Sequence, residues 1–231
     1  MISLFDLLKI GVGPSSSHTV GPMLAALRFV EHLAQVLSPP GHSAGQVSRL
    51  QVELFGSLAL TGLGHRTDRA IIAGLCGQHP RTVDPDSIDP LLEHVKQSRE
   101  LKWSGKQLVQ FDLPRDLLFH RSTFLPQHPN GLRCSAFDSD GNLLLSREYF
   151  SVGGGFVVDA DELNADATLV PPEENVPLPF TSAEELLSIC HREQLTIAEV
   201  IQCNELCFRS ETEIARGLDE IWSVMRACIE T

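Results

Sequence analysis

The sequence predicts an α+β fold, a sheet with helices packed on it, followed by a short all-helical segment. Three observations carry that expectation. Residues 132–152, LRCSAFDSDGNLLLSREYFSV, hold two alternating apolar runs joined at Ser139-Asp140-Gly141-Asn142. Asp-Gly between such runs is a strong hairpin signal, because its residues enter the positive-φ turn easily. Val20, Met23, Leu24, Leu27, Val30, Leu33 and Leu37 recur at three- and four-residue steps, which gives one apolar helix face. From Thr181 onward the pattern is wholly helical. Leu186, Leu187 and Cys190, then Ile197, Val200 and Ile201, then Ile214, Leu218, Ile221, Trp222 and Met225 mark three amphipathic helices.

The remaining elements follow in chain order. Pro39-Pro40-Gly41 ends the first helix, since neither residue type continues one. RLQVELFGSLAL, residues 49–60, begins as a strand and breaks at Gly56-Ser57. RTDRAIIAGLCG reads as a helix closed by Gly77, and a further helix runs from Ser87 to about Arg99 with Pro90 in its first turn. KQLVQFDL is strand-like, and a short apolar piece follows Gly153-Gly154-Gly155. The acidic, proline-rich stretch DADELNADATLVPPEENVPLPF reads as a linker, which sets expected boundaries at 1–158, 159–180 and 181–231. Thr181 with Glu184 and Ser210 with Glu213 match capping boxes. So few helical residues make a small core, and their apolar faces are expected to need a partner.

Composition narrows the function classes. A 42% hydrophobic content supports a packed core and argues against disorder. A formal net charge of -12, with no basic face, argues against nucleic-acid binding, which depends on neutralising phosphates. MISLFDLLKIG lacks the basic start and long apolar run of a secretory signal, and no apolar run is long enough to span a membrane. Six dispersed cysteines without a CxxC pair fit reduced, mostly buried thiols in a cytoplasmic protein. Cys203 and Cys207 have helix-neighbour spacing, but no further metal ligands accompany them.

Three loops could carry chemistry. IGVGPSSSHTVGPM, residues 10–23, sets glycines and hydroxyls around His18 at the mouth of a helix. Gly11 and Gly13 allow close backbone approach, Ser15, Ser16, Ser17 and Thr19 offer hydroxyls, and the first helical amides favour an anion. The loop lacks the lysine of a triphosphate-binding loop, so a carboxylate suits it better. Simple capping would account for one hydroxyl rather than four. FGSLALTGLGHRTD places His65 at a strand-to-helix turn, where Thr67 or Asp68 capping the next helix is the plainer alternative. LPQHPNGLR places His128 and Asn130 around Pro129 at the entry to a strand, and a plain turn is the alternative there. Neutral imidazoles with an amide can orient a polar ligand and move protons near pH 7. His32, His42, His79, His94, His120 and His191 lack such surroundings.

These segments resemble the bacterial iron–sulfur-dependent L-serine dehydratases. The resemblance rests on FDLLKIGVGPSSSHTVGPM, ELFGSLALTGLGHRTDRAI, HPNGLR, SVGGGF and TSAEELLSICHREQLTIAEVIQCNE. The first part is also similar to the allosteric substrate-binding domain of some 3-phosphoglycerate dehydrogenases. The resemblance implies a serine dehydratase β domain at 1–158 and the start of a catalytic α domain at 181–231. It implies conversion of L-serine to pyruvate and ammonia with a [4Fe-4S] cluster, one iron taking the substrate hydroxyl. Ser15, Ser16, Ser17, His18 and Thr19 are then expected at the substrate carboxylate. His18, His65, His128 and Asn130 are expected as catalytic residues, with His65 the first candidate base. The sequence departs from the family pattern at Leu63, Arg66 and Gln127, and none of its six cysteines matches the cluster positions. The cluster ligands are therefore expected outside this chain, on an α domain or partner chain, and the isolated chain is expected to be inactive. A homo-oligomer is expected as well. The rival expectation is a stand-alone serine-binding regulatory module or an inactive remnant.

Overall fold

The computed structural model describes residues 3–37, 47–105, 107–164 and 176–230. The chain divides into two units, one of residues 11–165 and one that joins residues 1–10 to 166–231.

In chain order the elements begin with a short helix α1 (Leu4–Leu7), a π-helical turn (Ser16–Val20) and α2 (Gly21–Val36). Next come β1 (Arg49–Phe55), α3 (Gly56–Thr61), α4 (Thr67–Leu75), α5 (Pro85–Ser98), β2 (Glu100–Trp103) and β3 (Gln107–Gln110). Then follow α6 (Leu113–Asp116), β4 (Leu117–His120), β5 (Gly131–Phe137), β6 (Leu143–Gly153), β7 (Phe156–Asp159) and α7 (Ala160–Asn164). The last three are α8 (Ala183–Glu193), α9 (Ile197–Glu205) and α10 (Glu211–Glu230).

The first unit is a mixed sheet in the order β2-β3-β1-β5-β6-β7. β3 and β4 share one edge of β1, β3 beside Arg49 and β4 parallel to Val52–Phe55. β1 and β5 run antiparallel with Val52 opposite Cys134, and β5 and β6 antiparallel with Cys134 opposite Arg147. Alternation decides the faces. Leu50, Val52 and Leu54 of β1 and Leu132, Cys134 and Ala136 of β5 are fully buried. They belong to one core with Phe29, Val30 and Leu33 of α2, Ile71, Ile72 and Leu75 of α4, and Leu92 and Val95 of α5. The other face carries polar ladders: Glu53 meets His120 at 2.9 Å, and Arg133 meets Glu148 at 2.7 Å.

The hairpin forms as the sequence predicts, with Gly141 at φ +83°. The helix of the Val20 periodicity also forms, and all of its named apolar residues but Leu24 are buried. It ends at Val36, and Pro39-Pro40-Gly41 lie outside the described residues. Other expectations need correction. The helix expected from Ser87 starts at Pro85, because Asp84 caps it by accepting from the Asp86 amide; Pro90 therefore lies inside the helix. Gly56-Ser57 does not only break β1 but opens α3. Ala160–Asn164, within the stretch read as a linker, forms a helical turn whose Glu162 pairs with Arg28 at 2.7 Å.

In the second unit all three expected helices form. Ser210 and Glu213 make the reciprocal bonds of a capping box. Thr181 bonds Glu185 rather than Glu184, since Ser182 is the cap and Glu185 lies three residues beyond it. Thr196 and Glu199 form a further box. Glu205 is fully buried and accepts from the Leu4 amide at 2.5 Å, Ser3 Oγ at 3.1 Å and Arg209 at 2.7 Å. That carboxylate fixes the start of α1 within the unit. No helix among the described residues is long and apolar enough to cross a membrane.

Candidate functional site

The strand register gathers the three loops at one end of the sheet. β1 ends at Phe55, and its antiparallel neighbour β5 starts at Gly131, so the His128 loop lies beside Gly56-Ser57. Gly56 has φ +53°, and a Cβ there would stand 2.4 Å from the Pro129 carbonyl oxygen, so only glycine lets the loop cross this closely. The Gly56 amide donates to Thr123 O at 2.9 Å and the Ser57 amide to Pro129 O at 2.9 Å, which locks the crossing.

The opening loop folds as a cap followed by a π turn. Gly13, at φ +77°, turns the chain inward, and Ser15 becomes the cap, its hydroxyl accepting from the His18 amide at 3.1 Å. Thr19 and Val20 amides both donate to Ser15 O, which widens the turn before α2 begins. π turns of this kind occur frequently at functional sites. His18 Nδ1 then lies 2.9 Å from Ser17 Oγ and Nε2 lies 3.0 Å from Ser57 Oγ. Thr19 Oγ1 donates to His65 O at 2.8 Å, and Thr67 Oγ1 donates to His18 O at 2.5 Å. Thr67 thus ties the two histidine segments together instead of capping α4, whose cap position is Arg66 in a left-handed conformation.

The His18 and His65 rings stand 4.8 Å apart between centroids and are inclined at 39°. His65 Nδ1 lies 3.0 Å from the Thr61 carbonyl oxygen. A carbonyl only accepts, so Nδ1 carries a proton, and in the neutral ring Nε2 is the acceptor. His128 has the opposite tautomer: its Nδ1 accepts from the Asn130 amide at 3.1 Å, so Nε2 carries the proton. The Asn130 side-chain amide donates to Ser151 O at 3.1 Å, and the Ser151 amide donates back to Asn130 O at 3.0 Å.

Burial lowers the pKa of His18 from its ordinary 6.5; His65 lowers it further, and the Ser57 backbone offsets part of the effect. Burial alone lowers His128. Both rings are therefore neutral near pH 7.

The structure thus brings His18 and His65 into direct ring contact and joins the His128–Asn130 loop to them through Ser57. Of the loop hydroxyls, Ser15 holds the His18 amide, Ser17 the His18 ring and Thr19 the His65 carbonyl. Ser16 is exposed, and neither its hydroxyl nor the amides of Ser16 and Ser17 bond any of the described residues. Arg66 points to Asp89 at 3.8 Å and is 60% exposed. The sequence reading passed over Ser57, Thr61 and Thr67 as site residues. The only signal for Ser57 is the Gly-Ser pair directly after an alternating strand.

The cysteines do not fit a cluster. Cys134 is buried in the sheet core, where burial pushes its thiol far up, and burial raises Cys76 to about 11. Cys190 and Cys203 are half-buried, and Cys207 and Cys228 exposed, so the thiols are not mostly buried as expected. α9 ends at Glu205, so Cys207 lies past the helix that carries Cys203. Among the described residues no three His, Cys, Asp or Glu side chains come together to hold a metal ion.

Comparisons with known proteins show the family. The family described as serine dehydratase beta chain matches residues 3–162. L-serine dehydratase of Streptomyces coelicolor is 43% identical over 229 residues, which cover 99% of this chain and 49% of that relative. L-serine dehydratase 1 of Escherichia coli is 42% identical over 231 residues, covering 100% and 49%. The Haemophilus influenzae L-serine dehydratase is 40% identical over 234 residues, covering 100% and 49%. The chain spans about half the length of the curated relatives it matches. With the family match running through every segment that builds the histidine site, the chain belongs to the serine dehydratase beta chain family.

Proposed function

We propose that this chain supplies the β domain and substrate loop of an L-serine ammonia-lyase, which converts L-serine to pyruvate and ammonia. The observation that carries the reading is His65, with Nδ1 fixed on Thr61 O and Nε2 bare, held against the neutral ring of His18. The Ser16 hydroxyl and the Ser16 and Ser17 amides receive the substrate carboxylate. They supply hydrogen bonds without a counter-charge, which suits a carboxylate better than a phosphate. His65 Nε2 takes the α-proton, because an imidazole nitrogen without a proton is the one that accepts. His128 donates from Nε2, and Asn130 Oδ1 accepts from the substrate ammonium. Departure of the β-hydroxyl as water, which the cluster would assist as a Lewis acid when bound, leaves aminoacrylate, and a water then converts this to pyruvate and ammonia.

The [4Fe-4S] cluster belongs to the same proposal, and so do a cytoplasmic location, a homo-oligomer and a cluster-bearing α domain or chain. The described residues do not fit a cluster, so the cluster would be held by the α part. The test is anaerobic reconstitution with iron and sulfide, followed by a pyruvate assay. The chain joined to the part of a relative that it does not span is expected to release pyruvate from L-serine, and the chain alone is expected to release none. His65→Ala in the joined protein should lower kcat by about 10²–10⁴-fold. Turnover by the chain alone, or an unchanged kcat in the variant, contradicts the reading.

A further inference from the structure

We propose that Ser57 is a positioning residue for His18, holding the Nε2 side of its ring while Ser17 holds Nδ1. The proposal rests on the serine-site reading and deepens it. Three observations converge on Ser57. Its hydroxyl lies 3.0 Å from His18 Nε2, across 39 residues of sequence. Its backbone is fixed on both sides, the amide donating to Pro129 O at 2.9 Å and the carbonyl accepting from Thr61 Oγ1 at 3.0 Å. It follows Gly56, at φ +53°, whose place beside Pro129 leaves no room for a Cβ. The turn at the end of β1 therefore delivers one hydroxyl to one ring nitrogen.

The chemistry follows from what each nitrogen meets. Ser15 Oγ, Ser17 Oγ, the His18 ring and Ser57 Oγ form a line of contacts at 3.4, 2.9 and 3.0 Å. Hydroxyls both donate and accept, so the line runs in either direction and serves either neutral His18 tautomer. Bonds at both nitrogens hold the ring in one plane, and loss of the Ser57 hydroxyl changes the balance between the two tautomers. With both nitrogens taken, His18 presents no free nitrogen to a ligand. Its part is to hold a neutral ring against His65, and Ser57 is what stops that ring from turning. His65 works from its own free Nε2, so the two histidines divide the tasks of support and proton transfer.

The test reads the ring directly. Two-bond proton–nitrogen spectra of the full 231-residue chain report the tautomer of each histidine. Ser57→Ala is expected to change the wild-type ratio of the two neutral His18 tautomers. Ser57→Thr, which keeps the hydroxyl, should restore the wild-type ratio. Ser57→Cys should shift partway and serves if the alanine variant does not fold. Calorimetry of L-serine should show about tenfold weaker binding in Ser57→Ala and near wild-type binding in Ser57→Thr. A merely structural serine would lower the melting temperature and leave the tautomer unchanged. An unchanged His18 tautomer in both Ser57→Ala and Ser57→Cys overturns the proposal, whatever the serine site does. Conversely, a joined wild-type protein that releases no pyruvate overturns the functional reading, while the spectra still decide the role of Ser57.

Discussion

At the scale of single residues, two of the site's imidazoles have their tautomers set by near neighbours in the chain. Thr61 O makes His65 an acceptor at Nε2, and the Asn130 amide makes His128 a donor there. Glycine or proline at an element boundary singles out the three histidines and Asn130 as candidates in the sequence. The sequence did not reveal their roles, since His18 meets Ser57 and His65 only once the sheet has formed. The lowered pKa values of His18 and His128 have a consequence for stability. Both folded values lie below the ordinary 6.5, so the unfolded chain takes up protons first as pH falls. Stability is therefore full above about pH 6.5 and declines as pH drops through that value towards the folded ones. Both rings remain half-exposed, so solvent keeps the effect modest. Melting temperatures measured from pH 8 to 5.5 should fall, and His18→Gln with His128→Gln should flatten the slope. An equally steep fall in the double variant contradicts this account.

At the scale of elements, the parts with a strong local pattern were legible. Asp140-Gly141 between alternating runs gave the hairpin, and the three- and four-residue steps gave α2. β2 and β4 were not legible, because ELKW follows directly on α5 and LLFH does not alternate, so both take their identity from pairing. The π turn at Ser16–Val20 was not legible either; sequence offers a cap, whereas Thr19 and Thr67 pull the turn wider by bonding across to and from the His65 segment. The β1–α3 turn is the element on which the site depends most. Gly56→Ala adds a Cβ at φ +53° and 2.4 Å from a backbone oxygen, so the expected cost is about 2–4 kcal/mol. Urea unfolding should show that loss together with displacement of Ser57 from His18. A midpoint within error of wild type would mean that the turn is not as tight as described.

At the scale of the whole molecule, an acidic chain of net charge -12 carries a small loop of uncharged donors that the proposal assigns to an anion. Local geometry decides this, since two free amides and a hydroxyl outweigh a distant net charge across water and salt. The fold class and the family were legible over nearly the whole chain, because the site loops carry fixed residue combinations. The arrangement of hydroxyls was not, since hydroxyls read as interchangeable until the fold assigns each a partner. The central claim is that the loop around His18 holds the carboxylate of L-serine. Calorimetry of L-serine against the intact chain and against His18→Ala tests it most directly. The account predicts saturable binding to the chain that acetate competes for and that weakens at least about tenfold in the variant. Undiminished binding by His18→Ala would remove the loop from the site and contradict the account.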